Sequence, residues 1–117
     1  MFRRWSRKFH CAFSGLAGGI QRESSFLVHL PVAAAVLIFA AVLRVAAWEW
    51  CVLILAIAIV LAAELFNTAI ESLVRRLHPE QHADVGRALD VSAGAVLITA
   101  IGAAAVGAVV LGGALLR

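Results

Sequence analysis

Charged residues are scarce in this sequence. Asp, Glu, Lys and Arg make up 15% of the 117 residues, against about 25% in an average soluble domain, while hydrophobic residues reach 63%. So few charges cannot cover the surface of a soluble protein of this size, whereas a lipid bilayer removes that requirement. The composition therefore excludes a soluble globular domain and predicts a single-domain, all-α integral membrane protein over 1–117.

Several motifs of soluble enzymes are also missing. The two cysteines, Cys11 and Cys51, form no C-x-x-C pair, which argues against a disulfide framework and a zinc site. There is no Walker A sequence and no Gly-rich loop of the protein-kinase type. No apolar h-region follows the basic start before Ser25, so we expect no cleaved signal peptide. The histidines form no recognised metal pattern and are interpreted as interfacial or packing residues: His10, His29, His78 and His82.

Three long apolar segments are predicted to span the membrane as helices, because each is long enough to cross a hydrocarbon core of about 30 Å. Their approximate bounds are 26–47, 51–74 and 91–116. The residues 48–50 (Trp-Glu-Trp) are predicted to form a very short turn between the first two spans. A polar loop over 75–87 follows the second span, and Asp90 is expected to open or cap the third helix.

The segment 1–25 is predicted to form an amphipathic helix that lies on the membrane surface. Trp5, Phe9 and Phe13 recur at a spacing of four between cationic positions, which places them on one helical face. The glycines within 15–19 predict a weaker stretch where the chain bends.

Positive charge predicts the orientation of the chain. The segment 1–25 carries five Lys or Arg residues and the loop 75–87 carries three, whereas the short turn has only Arg44 beside it. The positive-inside rule then places the N-terminus and the loop in the cytoplasm and the C-terminus outside. Beside so much apolar sequence, these charges favour topology control and anionic lipid over nucleic acid as the partner.

One stripe of polar residues interrupts the second span. Glu64, Asn67 and Glu71 lie within roughly 60° of one another around a helix. A carboxylate inside a span costs about 2.5–3.5 kcal/mol on insertion scales, so this stripe indicates a metal, a substrate or a polar cavity. The alternative is a buried hydrogen-bond network that joins helices.

The predicted topology collects further acids on the same membrane face. Glu23 precedes the first span, Glu71 ends the second and Asp90 begins the third, while Glu64 lies deeper by roughly 10 Å. Carboxylate oxygens of this kind suit Mg²⁺, which commonly joins protein carboxylates to substrate phosphates. The deeper Glu64 is a candidate general base toward a lipid hydroxyl.

These residues resemble the prokaryotic diacylglycerol kinase family, small trimeric membrane lipid kinases unrelated to soluble kinases. The resemblance covers nearly the whole chain. It rests on the motif from Glu64 to Glu71 (ELFNTAIE) and on a second motif from Asp90 to Leu97 (DVSAGAVL). Glu23 stands where the family has a Glu before its first span.

The resemblance implies a role for each of these residues. Glu64 would be the catalytic base that accepts the lipid hydroxyl proton, and Asn67 would help to order the site. Glu23 and Glu71 would hold Mg²⁺ bound to ATP, and Asp90 would contact the nucleotide. The family also implies a homotrimer with active sites between subunits near the cytoplasmic surface, in the bacterial inner (plasma) membrane.

The lipid acceptor is left open by the resemblance. The stretch 26–30 (FLVHL) and the turn 48–50 resemble the Gram-positive branch of the family, which includes undecaprenol kinases. Either diacylglycerol or undecaprenol is therefore a candidate substrate, giving phosphatidic acid or undecaprenyl phosphate.

Two positions depart from the family pattern. Leu89 replaces a lysine that would neutralise ATP phosphate charge, and Arg87 lies about 200° away around a helix, which makes it a poor replacement. Arg75 stands where the family commonly has an acid, and at i+4 it is expected to pair with Glu71 and compete with metal. An inactive homologue that acts as a scaffold is therefore one alternative. A small transporter with a membrane Glu is another, although that class needs four spans.

Overall fold

The computed structural model describes the backbone of residues 1–22 and 26–117, and the side chains of the same residues except residue 22. All regular structure in the described part of the chain is α-helical, which confirms the predicted class. The helices are α1 (Phe2–Arg22), α2 (Phe26–Leu43), α3 (Ala47–Leu77) and α4 (Ala83–Leu116).

Three of these helices, α2, α3 and α4, are long and apolar enough to cross a membrane. The shortest, α2, has 18 residues, which gives about 27 Å of helix. Large apolar side chains on all three are exposed, among them Phe39, Ile54 and Val109. Such surfaces suit contact with lipid or with other helices in a bilayer, and the chain is a membrane protein.

The turn between α2 and α3 lies at 44–46, and the prediction of a turn at 48–50 is wrong. Helix α3 already begins at Ala47, because the Glu49 side chain accepts a hydrogen bond of 3.0 Å from the Ala46 backbone N–H and caps the first turn. The chain reverses at Arg44, whose φ of 54° ends α2 in the left-handed region.

The prediction that Asp90 caps the third span is also wrong. Helix α4 begins at Ala83, and His82 is its N-cap, with the His82 Nδ1 accepting from the Asp84 backbone N–H at 3.1 Å. Asp90 lies two turns inside the helix. A capping interaction from a histidine is not one of the common sequence signals for a helix start, so the loop was predicted to be longer than the observed 78–82.

Helix α1 continues through the glycines at 15–19 without the break that their sequence suggested. Gly19 lies against α3, since a Cβ atom there would be 2.8 Å from Leu65 Cδ2. Trp5, Phe9 and Phe13 are all exposed on this helix. Its predicted position on the membrane surface remains a prediction.

A small core forms at the end of the bundle where α2 turns into α3. Its buried residues are Ala40, Val45, Leu53 and Val110. The end of α4 is tied to the same place, because the Arg117 guanidinium donates to Glu49 Oε1 at 3.0 Å. The opposite end of the bundle, beyond residue 60 of α3, carries the polar stripe.

Candidate active site

The polar stripe of α3 continues the buried face of that helix. Leu53 and Val60 are buried, and the next buried positions are Glu64 and Asn67, which are 3% and 8% exposed. The spacings of seven, four and three keep all four side chains on one helical face. The helix thus turns a carboxylate and an amide inward at positions where an apolar core would otherwise continue.

Asn67 links this face of α3 to α4. Its Oδ1 accepts a hydrogen bond of 2.5 Å from the Ser92 hydroxyl, and its Nδ2 donates to Glu71 Oε1 at 3.1 Å. Because both ends of the amide have partners, its orientation is fixed and Glu71 is held toward the bundle. Ser92 was missed by the sequence analysis, where its only signal was a lone hydroxyl among small residues.

Glu64 faces α2 rather than α4. Its Oε2 lies 3.4 Å from His29 Nε2, and the two side chains are 4% and 25% exposed. Sequence reasoning treated His29 as an interfacial or packing residue and missed this contact. The signal available was a titratable ring inside an apolar span, which is uncommon and usually has a partner.

The structure does not bring every predicted site residue together. Asp90 is exposed on α4, and it points about 200° away from Ser92, which faces α3. Within one chain it therefore lies outside the group of Glu64, Asn67 and Glu71. Glu23, predicted to bind metal, lies outside the described residues.

The two residues that depart from the family pattern, Leu89 and Arg75, line the same cavity. Leu89, Arg75 and Glu71 are among the residues around a space of about 770 Å³. Glu71 is bonded to Asn67, and no ion pair joins it to Arg75 in the described part of the chain, so the predicted pairing is wrong. Arg87 instead pairs with Asp84 at 3.6 Å.

Comparison with known proteins places this arrangement in a family. The family described as prokaryotic diacylglycerol kinase matches residues 10–111. The chain belongs to this family. A Synechocystis protein named diacylglycerol kinase is 34% identical over 109 residues, which cover 92% of this chain and 59% of that protein. The chain thus spans less than two thirds of the length of this curated relative.

The family match includes both motifs, all of α2 and α3, and α4 as far as Leu111. The residues that depart from the family pattern, Leu89 and Arg75, lie within the matched range as well. Family membership therefore supports the fold and the type of chemistry, while the role of each site residue depends on the geometry of this chain.

The described acids fit Mg²⁺ as part of a metal–nucleotide complex. Within the described residues, no group of three or more His, Cys, Asp or Glu side chains is placed to hold a metal ion. Mg²⁺ is usually held by one or two carboxylates together with substrate phosphates. Glu71 is half-buried and its Oε1 is occupied by Asn67, which leaves a hard oxygen ligand for such a complex.

An apolar groove of about 490 Å³ lies among α2, α3 and α4. Of the described residues that line it, His29 is the only one with a polar side chain. The others are aliphatic or glycine, such as Val36, Leu53 and Gly107. The groove therefore connects an apolar interior with the ring that contacts Glu64.

Proposed function

We propose that this chain is an ATP- and Mg²⁺-dependent lipid kinase that phosphorylates the hydroxyl of a membrane lipid, either diacylglycerol or undecaprenol. The observation that carries the proposal is the buried Glu64 carboxylate on the same face of α3 as Asn67 and Glu71. A carboxylate that is costly to place in a membrane stands about two helical turns from a second carboxylate suited to a metal–nucleotide complex.

The reaction follows from these two positions. The lipid hydroxyl oxygen forms a bond to the γ-phosphorus of ATP, the bond from that phosphorus to the β,γ-bridging oxygen breaks, and ADP leaves. The hydroxyl proton passes to Glu64, which acts as general base. Phosphoryl transfer depends mostly on positioning and electrostatic stabilisation, and Asn67 supports this by holding Glu71 in place.

Glu71 and Glu23 would hold the Mg²⁺ ion. When bound, the metal neutralises phosphate charge and orients the γ-phosphate. Asp90 would contact the nucleotide bound to a neighbouring subunit, because it points away from its own chain's site. We also propose that the chain forms a homotrimer in the bacterial inner membrane. Its active site would face the cytoplasm, and its C-terminus would lie outside.

The test is phosphate transfer from labelled ATP by the purified protein in mixed micelles that contain Mg²⁺. Diacylglycerol and undecaprenol are offered side by side, and the preferred acceptor identifies the branch. Glu64→Gln should lower kcat by at least about 100-fold, since general base catalysis contributes that much. The matched control is Asp84→Asn, which neutralises an exposed residue at the start of α4 outside the cavity that contains Glu71 and should keep full activity.

Well-folded protein that labels neither lipid would contradict the proposal for these acceptors. A chain that transfers phosphate equally well with Glu64→Gln would keep the kinase activity but remove Glu64 as its base.

Leu89 favours a second candidate, an inactive homologue that acts as a membrane scaffold. A leucine at this position brings no charge to the cavity beside Glu71. The same assay separates the two candidates, because a scaffold transfers no phosphate to either lipid and is unaffected by Glu64→Gln.

A further inference from the structure

We propose that His29 is a positioning residue that orients the Glu64 carboxylate toward the lipid hydroxyl. The inference rests on the proposed kinase function and assigns a role to a residue on a different helix from the α3 motif. It requires that His29 touch Glu64, that Glu64 depend on this contact, and that His29 lie on the side from which the acceptor arrives.

The contact is present in the structure. His29 Nε2 lies 3.4 Å from Glu64 Oε2, a little beyond the usual limit of an N–H···O hydrogen bond. Catalytic hydrogen bonds are often long before substrates bind and shorten in the reactive complex. A movement of a few tenths of an ångström by either side chain would make this contact a hydrogen bond.

Few other polar groups are placed to orient the Glu64 carboxylate. Its side chain is 4% exposed, so water cannot solvate it fully, and a buried carboxylate needs a polar partner. Asn67 donates to Glu71 and accepts from Ser92, and within the described residues no hydrogen bond joins it to Glu64. His29 is therefore the partner that the described structure offers to Glu64, and it reaches across from a separate helix.

The position of His29 also matches the direction of the acceptor. Its ring lines the apolar groove of about 490 Å³ among the three spanning helices. A lipid that brings its hydroxyl to Glu64 from within the bilayer passes this ring. With Oε2 held by His29, Oε1 is left free to accept the proton of that hydroxyl.

The test compares two substitutions of His29. His29→Leu replaces the ring with an apolar side chain of moderate size and removes the donor, whereas His29→Gln retains a donor. We expect His29→Leu to lower kcat by roughly 10- to 100-fold, the scale of a misplaced catalytic group, with the KM for ATP unchanged. His29→Gln should recover most of the activity. Val28→Leu, which places a leucine at the exposed neighbouring position outside the groove, is the matched control and should leave kcat close to that of the wild type.

A double-substitution cycle tests whether His29 acts through Glu64. In the Glu64→Gln background, His29→Leu should cause no further loss of turnover. An independent measurement is the ¹⁵N signal of His29 Nε2 in histidine-labelled protein, which should shift in Glu64→Gln and stay in place in Asp84→Asn.

The outcomes separate the inference from the proposed function. An active wild type that loses turnover in Glu64→Gln but not in His29→Leu overturns the role of His29 and leaves the kinase in place. A wild type that labels no lipid overturns both, even where the ¹⁵N signal confirms the contact. A loss in His29→Leu that His29→Gln does not reverse, together with an additive double-substitution cycle, reduces His29 to a packing residue.

Discussion

At the scale of single residues, Asn67 both joins α3 to α4 and holds the Glu71 side chain. Its amide accepts from Ser92 of α4 and donates to Glu71 of its own helix. An amide with partners at both ends cannot rotate without losing one of them. The rotamer of Glu71 is therefore set before any ligand arrives, which lowers the cost of ordering it during the reaction.

Removal of the Ser92 hydroxyl tests this arrangement. Ser92→Ala leaves Asn67 Oδ1 without its partner, so we predict a loss of about 1 kcal/mol in the free energy of unfolding and a several-fold lower kcat. Thermal unfolding in micelles and the lipid phosphorylation assay measure the two effects. Thr99→Val is the control, because the Thr99 hydroxyl donates to the Val96 carbonyl of its own helix. Equal effects from both substitutions would contradict a special role for Ser92.

Leu89 leads to a prediction of improved function. It lines the cavity that also contains Glu71 and Arg75, and a lysine there would bring a positive charge to a bound phosphate. We predict that Leu89→Lys lowers the KM for ATP by about tenfold, which is about 1.4 kcal/mol of binding. Ala88→Lys adds the same charge at an exposed neighbouring position and should have little effect. No change in KM with Leu89→Lys would indicate that Arg75 already supplies the charge.

The polar residues on the inward face of α3 were easier to predict from the sequence than the residues that contact them. Glu64, Asn67 and Glu71 stood out because polar side chains break an apolar pattern at a helical spacing. His29 and Ser92 did not, because each is a single polar residue on another helix. Their importance depends on which helix faces lie together, and that is a property of the packing rather than of any local pattern.

At the scale of the helices, the close approach of α1 to α3 gives a matched pair of glycines. A Cβ atom at Gly19 would lie 2.8 Å from Leu65 Cδ2, whereas a Cβ atom at Gly18 would have nothing within 4 Å. Gly18→Leu should therefore be tolerated or slightly stabilising, since leucine favours a helix more than glycine does. Gly19→Leu must displace Leu65, the neighbour of Glu64.

We predict that Gly19→Leu lowers kcat by roughly tenfold, because small displacements at a catalytic group are costly, and that Gly18→Leu does not. The measurement is lipid phosphorylation together with limited proteolysis of α1. If the two variants behave alike, contact between α1 and α3 is not needed for catalysis.

Helix existence was predicted well, and helix bounds less well. The three apolar runs became α2, α3 and α4, but α3 and α4 begin four and eight residues earlier than the predicted spans. In both places a polar side chain caps the helix in a way the pattern did not indicate: Glu49 reaches back to Ala46, and His82 accepts from Asp84. A hydropathy pattern marks where a helix enters lipid, whereas caps determine where it starts.

At the scale of the whole molecule, the outward direction of Asp90 predicts complementation between subunits. If Asp90 serves the site of a neighbour, Glu64→Gln and Asp90→Asn damage different halves of a shared site. Co-expression of equal amounts of the two inactive variants should give randomly mixed cyclic trimers. In about a quarter of their sites, a subunit with an intact Glu64 lies beside a subunit with an intact Asp90, and these sites should be active. The measurement is kinase activity of the co-purified mixture.

The control for complementation is a mixture of Glu64→Gln with Asn67→Ala. These two residues lie on the same face of one helix, so every subunit in that mixture carries a damaged α3 and no activity should return. Recovery in both mixtures, or in neither, would contradict a site shared in this way.

The length of α3 has a further consequence. Its 31 residues extend for about 46 Å, whereas the hydrocarbon core is about 30 Å thick. Counted along α3 from Trp48, which the sequence predicts to lie at a membrane interface, Glu64 lies about 24 Å away and Glu71 about 35 Å away. By these lengths Glu64 lies within the hydrocarbon core and Glu71 lies beyond it, so the position of each along α3 sets its depth in the membrane. A thicker bilayer would place both carboxylates in hydrocarbon, and a thinner one would place Glu64 among the headgroups. The thickness of the membrane therefore affects the surroundings of both candidate site residues.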